Sequence, residues 1–234
     1  MILSTAAVTL LMSFLERRSF SVYGLPVKAA FRGQFWRGTV WGLLAFSATM
    51  LCITAFKGFS FGHIALTGNV LIRQALLWGF AFTLVGIAEE FLYRGYILFT
   101  LAEGIGFWPA ASLLSAFFCL IHLSNGGEGW TGMPQIFLIS MIFCLTLRRT
   151  GNLWFAAGMH AAWDYAETFL FSAPDSGTVA PGTLLQSSFH GPRWLTGGAV
   201  GPEGSVFSIL VLLIVLLLFS RIYSPKEETQ SAGK

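Results

Sequence analysis

Seven apolar stretches divide this chain, at roughly 1–15, 38–56, 70–102, 107–123, 133–147, 152–171 and 205–223. A helix needs about 20 apolar residues to cross the hydrocarbon core of a bilayer. Only helices and closed barrels satisfy their backbone polar groups inside lipid. Runs of this length therefore specify an all-α fold, a polytopic membrane helix bundle with about seven transmembrane helices. The first and fifth stretches are short for a span, and the third is longer than a bilayer requires. The third is expected to tilt, break or extend into water. Charge supports the same class. Of 234 residues 11% are charged, against about 25% in soluble domains, and 55% are hydrophobic.

The charged loops set the orientation. Arg17, Arg18, Lys28, Arg32, Arg37, Arg148, Arg149, Arg221, Lys226 and Lys234 fall on one side, and Lys57, Arg73 and Arg193 on the other. Ten against three marks the first side as cytoplasmic. The net charge of +3 forms no dense basic patch, so nucleic acid is not an expected partner. The first stretch lacks a basic n-region and precedes Glu16-Arg17-Arg18, unlike a signal peptide, and reads as a helix with its N-terminus outside. Residues 172–204 carry seven glycines and four prolines. They read as an outside loop without regular structure, either covering the external face or poorly ordered. The polar tail 224–234 reads as frayed. Cys52, Cys119 and Cys144 lie in apolar runs with no C-x-x-C pair, as buried reduced filler would.

The chemistry-bearing residues are ionisable groups inside the apolar stretches, where each costs at least about 2.5–3.5 kcal/mol. In A-E-E-F-L-Y-R-G-Y (88–96), Glu90 and Arg94 are four apart and share a helical face, which lets them pair. Glu89 lies about 100° around the helix and is the spare carboxylate, suited to taking a proton from water. The plain alternative is a buried ion pair that joins helices. His122 ends F-F-C-L-I-H. The turn A-E-G-I-G at 102–106 makes 89–102 and 107–122 an antiparallel hairpin, with Glu89 and His122 each about 20 Å from the turn. In G-M-H-A-A-W-D, His160 and Asp164 share a face at i, i+4. Glu167 is expected nearer the outside surface. A glutamate and two histidines at similar depth suit two chemistries. Glu89, His122 and His160 could hold a zinc ion with one open position. Alternatively, Glu89 and His122 polarise a water while His160 and residue 164 stabilise an oxyanion.

E-E-F-L-Y-R (89–94), F-C-L-I-H (118–122) and H-A-A-W-D (160–164) occur in order on apolar segments. They resemble the motifs E-E-x-x-x-R, F-x-x-x-H and H-x-x-x-N of the CPBP family, the CAAX-protease and bacteriocin-processing (Abi-type) intramembrane endopeptidases. That family includes the type II CAAX prenyl proteases. The resemblance covers about 70–172, and R-S-F-x-x-Y-G-L (18–25) is similar to the family's cytoplasmic lead-in. It implies a membrane peptidase, glutamate-dependent or metallo, with Glu89 as general base and His122 binding or activating the water. His160 and Asp164 would support the oxyanion, and Glu90, Arg94 and Phe118 would hold the site or engage substrate. Asp164 departs from the usual Asn, and an ionised Asp cannot donate to an oxyanion. The cofactor is zinc or none. The implied partners are the lipid bilayer and a membrane-associated peptide or protein substrate, and the implied setting is the plasma membrane. The chain then divides into N-terminal helices with a basic loop (1–69), a catalytic core (70–172), and an outside loop, last helix and tail (173–234).

Other motifs compete weakly. G-F-S-F-G at 58–62 matches the serine-hydrolase G-x-S-x-G, but in a short polar loop with no preceding strand expected. H-E-x-x-H and G-x-G-D are absent. A non-catalytic scaffold or immunity protein would use the same residues structurally. A proton-coupled transporter predicts internal repeats, and none is evident.

Overall fold

The computed structural model describes residues 2–125 and 132–224. The basic residues Lys226 and Lys234, and the tail expected to fray, lie outside the described residues. All seven apolar stretches are helical. They form α1 (Ile2–Leu15), α2 (Gly33–Ala55), α3 (Gly68–Arg94), α4 (Tyr96–Ile105), α5 (Phe107–His122), α6 (Gly132–Thr150), α7 (Trp154–Asp164, continued as a π-helix over Tyr165–Leu170) and a final helix, Val206–Ile222. A single turn of helix, α8 (Arg193–Thr196), precedes the final one, which is therefore α9. Among the described residues, two runs are long and apolar enough to cross a membrane by length and composition, Gly33–Ala55 and Gly68–Ile105. Helices α1, α5 and α9 are apolar but shorter. Leu44, Phe80 and Leu217 are among the large apolar side chains left exposed on these helices.

The long third stretch breaks at Gly95, between α3 and α4. A side chain there would meet the Phe91 carbonyl oxygen at 2.2 Å, so only glycine lets the chain turn this tightly. The break corrects the expected hairpin, whose helices are α4 and α5 and whose turn is reduced to Gly106, at φ +87°. Glu89 belongs to α3 and not to the hairpin. Helix α4 has ten residues and α5 sixteen, so α5 outruns its partner by about 9 Å. The overhang carries Phe118 past the break, to Tyr93 of α3, with ring centroids 4.8 Å apart.

Helix α7 is central, with ten of its eleven residues buried. Its neighbours approach through glycines. A Cβ on Gly38 of α2 would lie 2.0 Å from the Phe155 carbonyl oxygen, and one on Gly42 would lie 2.2 Å from that of Met159. Gly86 of α3 meets the Ala157 carbonyl in the same way, at 2.7 Å. Small residues four apart let helix backbones touch, and the gain is dispersion contact rather than hydrophobic burial. The core around this seam includes Phe46, Met50, Phe155, Met159 and Trp163.

The lead-in after α1 is ordered by specific bonds. Tyr23 and Tyr96 each donate to the Glu16 carboxylate at 2.6 Å. Arg18 pairs with Glu103 at the end of α4. The Gly24 carbonyl accepts from Leu153 N–H at 2.7 Å, and the Pro26 carbonyl from the Trp154 indole at 3.1 Å. These bonds tie 16–26 to the ends of α4 and α7.

The segment 172–204 is largely irregular, as its glycines and prolines imply, but it carries short elements. Strand β1 (Phe59–Ser60) pairs antiparallel with β2 (Ser188–Phe189). The Asp175 N–H donates to the Thr178 carbonyl at 3.0 Å and the Leu184 N–H to the Phe169 carbonyl at 3.0 Å, so the segment folds back on α7.

Candidate active site

The last turns of α3, the end of α5 and the middle of α7 line one cavity of about 440 Å³. Glu89, His122, His160 and Asp164 all face it, with Phe118 in its wall. The i, i+4 spacings give the local pairs. Arg94 Nη1 donates to Glu90 Oε1 at 3.0 Å, with both side chains essentially without solvent exposure. His160 Nε2 lies 3.5 Å from Asp164 Oδ2.

Tertiary packing adds the bond that joins the two motifs. His160 Nδ1 lies 2.9 Å from the same Glu90 Oε1. A carboxylate accepts, so Nδ1 carries the hydrogen and Nε2 is the nitrogen left for chemistry. Glu89 Oε2 is 3.9 Å from that Nε2, and the Glu89 side chain is 26% exposed to the cavity. The imidazole is also fixed from above by Phe143, stacked at 5.2 Å and 15°. His122 is oriented in the same manner. Its Nδ1 lies 2.7 Å from the Phe118 carbonyl, which can only accept, so Nε2 of the neutral ring offers a lone pair.

Arg94 anchors the assembly. Its second Nη donates to Ser140 Oγ at 2.5 Å, and Ser140 donates to Ser115 Oγ at 2.7 Å. The guanidinium stands 4.7 Å from the Phe118 ring centre and 5.5 Å from that of Phe143. Ser115, Ser140, Phe143 and Gln135 were not singled out from the sequence. Ser140 and Gln135 are fully buried polar side chains on an apolar helix, which was the available signal. Gln135 lines the cavity, and neither of its amide atoms has a hydrogen-bond partner.

Glu167 is fully buried, with Asp175 and Glu203 of the segment read as the outside loop beside it. The segment 173–204 supplies Asp175, Ser176, Thr178 and Glu203 to the cavity wall, so it covers one side of the site. Burial pushes the Asp175 carboxyl above its ordinary range, opposed by the Thr168 hydroxyl that donates to it at 3.0 Å.

Glu89, His122 and His160 do not form a ready metal set. Among the described residues, only Glu167, Asp175 and Glu203 bring three ligand atoms within 4.8 Å of one another. The G-x-S-x-G serine, Ser60, is exposed on β1 and does not line the cavity.

No curated protein and no solved structure matches the chain. The family model described as type II CAAX prenyl endopeptidase Rce1-like matches residues 71–166. This span contains Glu89, Glu90, Arg94, Phe118, His122, His160 and Asp164. Such endopeptidases are membrane hydrolases that act on membrane-associated peptides or proteins. Over residues 71–166 the chain is thus similar to the Rce1-like type II CAAX prenyl endopeptidases.

Proposed function

We infer that the chain is a multi-pass intramembrane endopeptidase that cleaves a peptide bond near the membrane with a water activated by Glu89. The observation that carries this reading is the convergence of Glu89, His122, His160 and Asp164 on one cavity, with both imidazoles held through Nδ1. Glu89 is the general base, because it is the carboxylate that faces the cavity while Glu90 is consumed by Arg94 and His160. The lone pair of His122 Nε2 accepts a hydrogen bond from the water and aims its oxygen. Attack converts the carbonyl into a tetrahedral oxyanion. His160 Nε2–H, in the protonated ring, donates to that oxyanion. Asp164 keeps the ring in place from its own helix. Glu89 then returns its proton to the departing amine, so base and acid are one residue.

The donor geometry favours water activation by protein groups alone, and no step is routed through zinc. Trp78, Phe82, Val85 and Ile139 give the cavity an apolar wall suited to a lipid-modified or apolar peptide end. The substrate proposed is accordingly a CAAX-type prenylated tail.

The test is hydrolysis by purified protein in detergent of a farnesylated CAAX peptide and of its unprenylated counterpart. Glu89→Gln and His122→Ala are each expected to lower kcat by about 10²–10⁴-fold, with Tm little changed for the partly exposed Glu89. Full activity in Glu89→Gln would sink the mechanism. Cleavage of neither peptide by the wild type would favour a scaffold role.

A further inference from the structure

Glu167, Asp175 and Glu203 each bring a carboxylate oxygen within 4.8 Å of the others. They come from three separate stretches. Glu167 lies in the π-helical end of α7, Asp175 in the segment that follows, and Glu203 in the 3₁₀ turn Pro202–Gly204 that leads into α9. Nothing in their sequence spacing announces the cluster.

A second observation concerns Glu167 itself. Its side chain is fully buried, and neither carboxylate oxygen has a hydrogen-bond partner of good geometry, the Trp163 indole being a nearby donor. Burying a carboxylate without a donor is among the costliest arrangements in a protein, and a bound cation relieves it. The neighbours are already arranged as acceptors. Asp175 takes the Thr168 hydroxyl at 3.0 Å and Glu203 takes the Ser176 hydroxyl at 3.0 Å. Each of those bonds occupies one oxygen of its carboxylate.

Oxygens within 4.8 Å of one another fit Ca²⁺, whose ligands at 2.3–2.6 Å can lie up to about 5 Å apart, and would suit Mg²⁺ if they closed to within about 4 Å. A hard ion also suits an all-carboxylate set.

The geometry points to a divalent-cation site of the calcium class, with Glu167, Asp175 and Glu203 as its protein ligands. The site is separate from the candidate catalytic residues and does not depend on the peptidase reading. Asp175 and Glu203 also belong to the cavity wall, while Glu167 lies behind it. An ion there would fasten the 173–204 segment and the start of α9 to the end of α7. The cavity's outer wall would then be held by the cation as well as by hydrogen bonds.

The experiment uses the full chain, purified in detergent without added calcium, with thermal unfolding followed as CaCl₂ or MgCl₂ is titrated and bound metal measured directly. The wild type is expected to bind one calcium and to gain about 5–10 °C in Tm at a hundredfold excess over Kd. Mg²⁺ should give a smaller rise. Glu167→Gln should fold and lose the calcium response, and Asp175→Asn serves if Glu167→Gln does not fold. A wild type with no calcium-dependent shift and no bound calcium overturns the proposal. So does an undiminished shift in both variants. An equal response to Mg²⁺ overturns the calcium-class assignment.

Discussion

Arg94→Met removes the guanidinium bonded to Glu90 and leaves that glutamate fully buried, with His160 as its remaining partner among the described residues and its second oxygen already unpartnered. The pair is 0% and 1% exposed, so solvent does not screen it. Breaking such a pair from one side costs about 3–5 kcal/mol. For a chain of this size that is a fall in Tm of about 6–20 °C. Glu90→Leu/Arg94→Met removes the stranded charge as well. It still leaves the Nδ1 hydrogen of His160 unpaired and takes a donor from Ser140, a residual cost of about 1–3 kcal/mol. The double variant should therefore be about 2 kcal/mol more stable than Arg94→Met alone. Thermal or denaturant unfolding in one detergent measures both. Both variants should lose peptide hydrolysis, the double because His160 loses Glu90 and the single because Glu90 loses the guanidinium that fixes it, so stability and not activity is the discriminating readout. If the double variant is no more stable than Arg94→Met, the buried-charge argument is wrong and Arg94 acts by packing against Phe118 and Phe143.

Three further outcomes follow from other parts of the molecule. Gly42→Leu places side-chain atoms where the Met159 carbonyl already stands 2.2 Å from an ideal Cβ, and should destabilise by at least about 1–3 kcal/mol; an unchanged Tm would refute the close α2–α7 seam. Two tyrosine hydroxyls, from Tyr23 first and then Tyr96, hold Glu16 below the ordinary carboxylate range, while burial and the Glu16 bond push Tyr23 up to about 12. The Glu16 contribution is complete above the unfolded carboxylate pKa of about 4.3 and is lost as pH falls through the lower folded value. Hydrogen exchange in 16–26 should therefore rise on acidification in the wild type and be raised already at neutral pH in Glu16→Gln. Hydrolysis should persist in phenanthroline, which takes zinc, with metal analysis showing none bound; abolition reversed by zinc would overturn the metal-free scheme.

Much of the site was legible because helices make residues four apart neighbours. The Glu90–Arg94 and His160–Asp164 pairs follow from 3.6 residues per turn and need no tertiary information. The position of Glu89 apart from the Glu90–Arg94 pair also follows from its angle on the helix. The depth argument for Glu89 and His122 brought the right residues together but assumed a continuous helix over 89–102. Gly95 breaks it, because the Phe91 carbonyl occupies the space a Cβ would need. A glycine within an apolar run does not reveal whether it will bend the helix or seat a neighbour, as Gly38 and Gly42 do.

Apolar run lengths, the basic loops and three ordered motifs are properties of the chain, since they depend on transfer free energy and local helical geometry. The sequence alone therefore determined helical class, the seven helical stretches and the catalytic candidates. Tertiary structure decided that Glu90 rather than Asp164 holds the His160 Nδ1, across 70 residues, and that Ser140 and Ser115 support Arg94. It also decided that Glu167 is buried against Asp175 and Glu203, and that a glycine- and proline-rich loop walls the cavity. Those contacts depend on which helix faces meet and how closely. Small residues at the seams set that distance, and no periodicity in the chain encodes it.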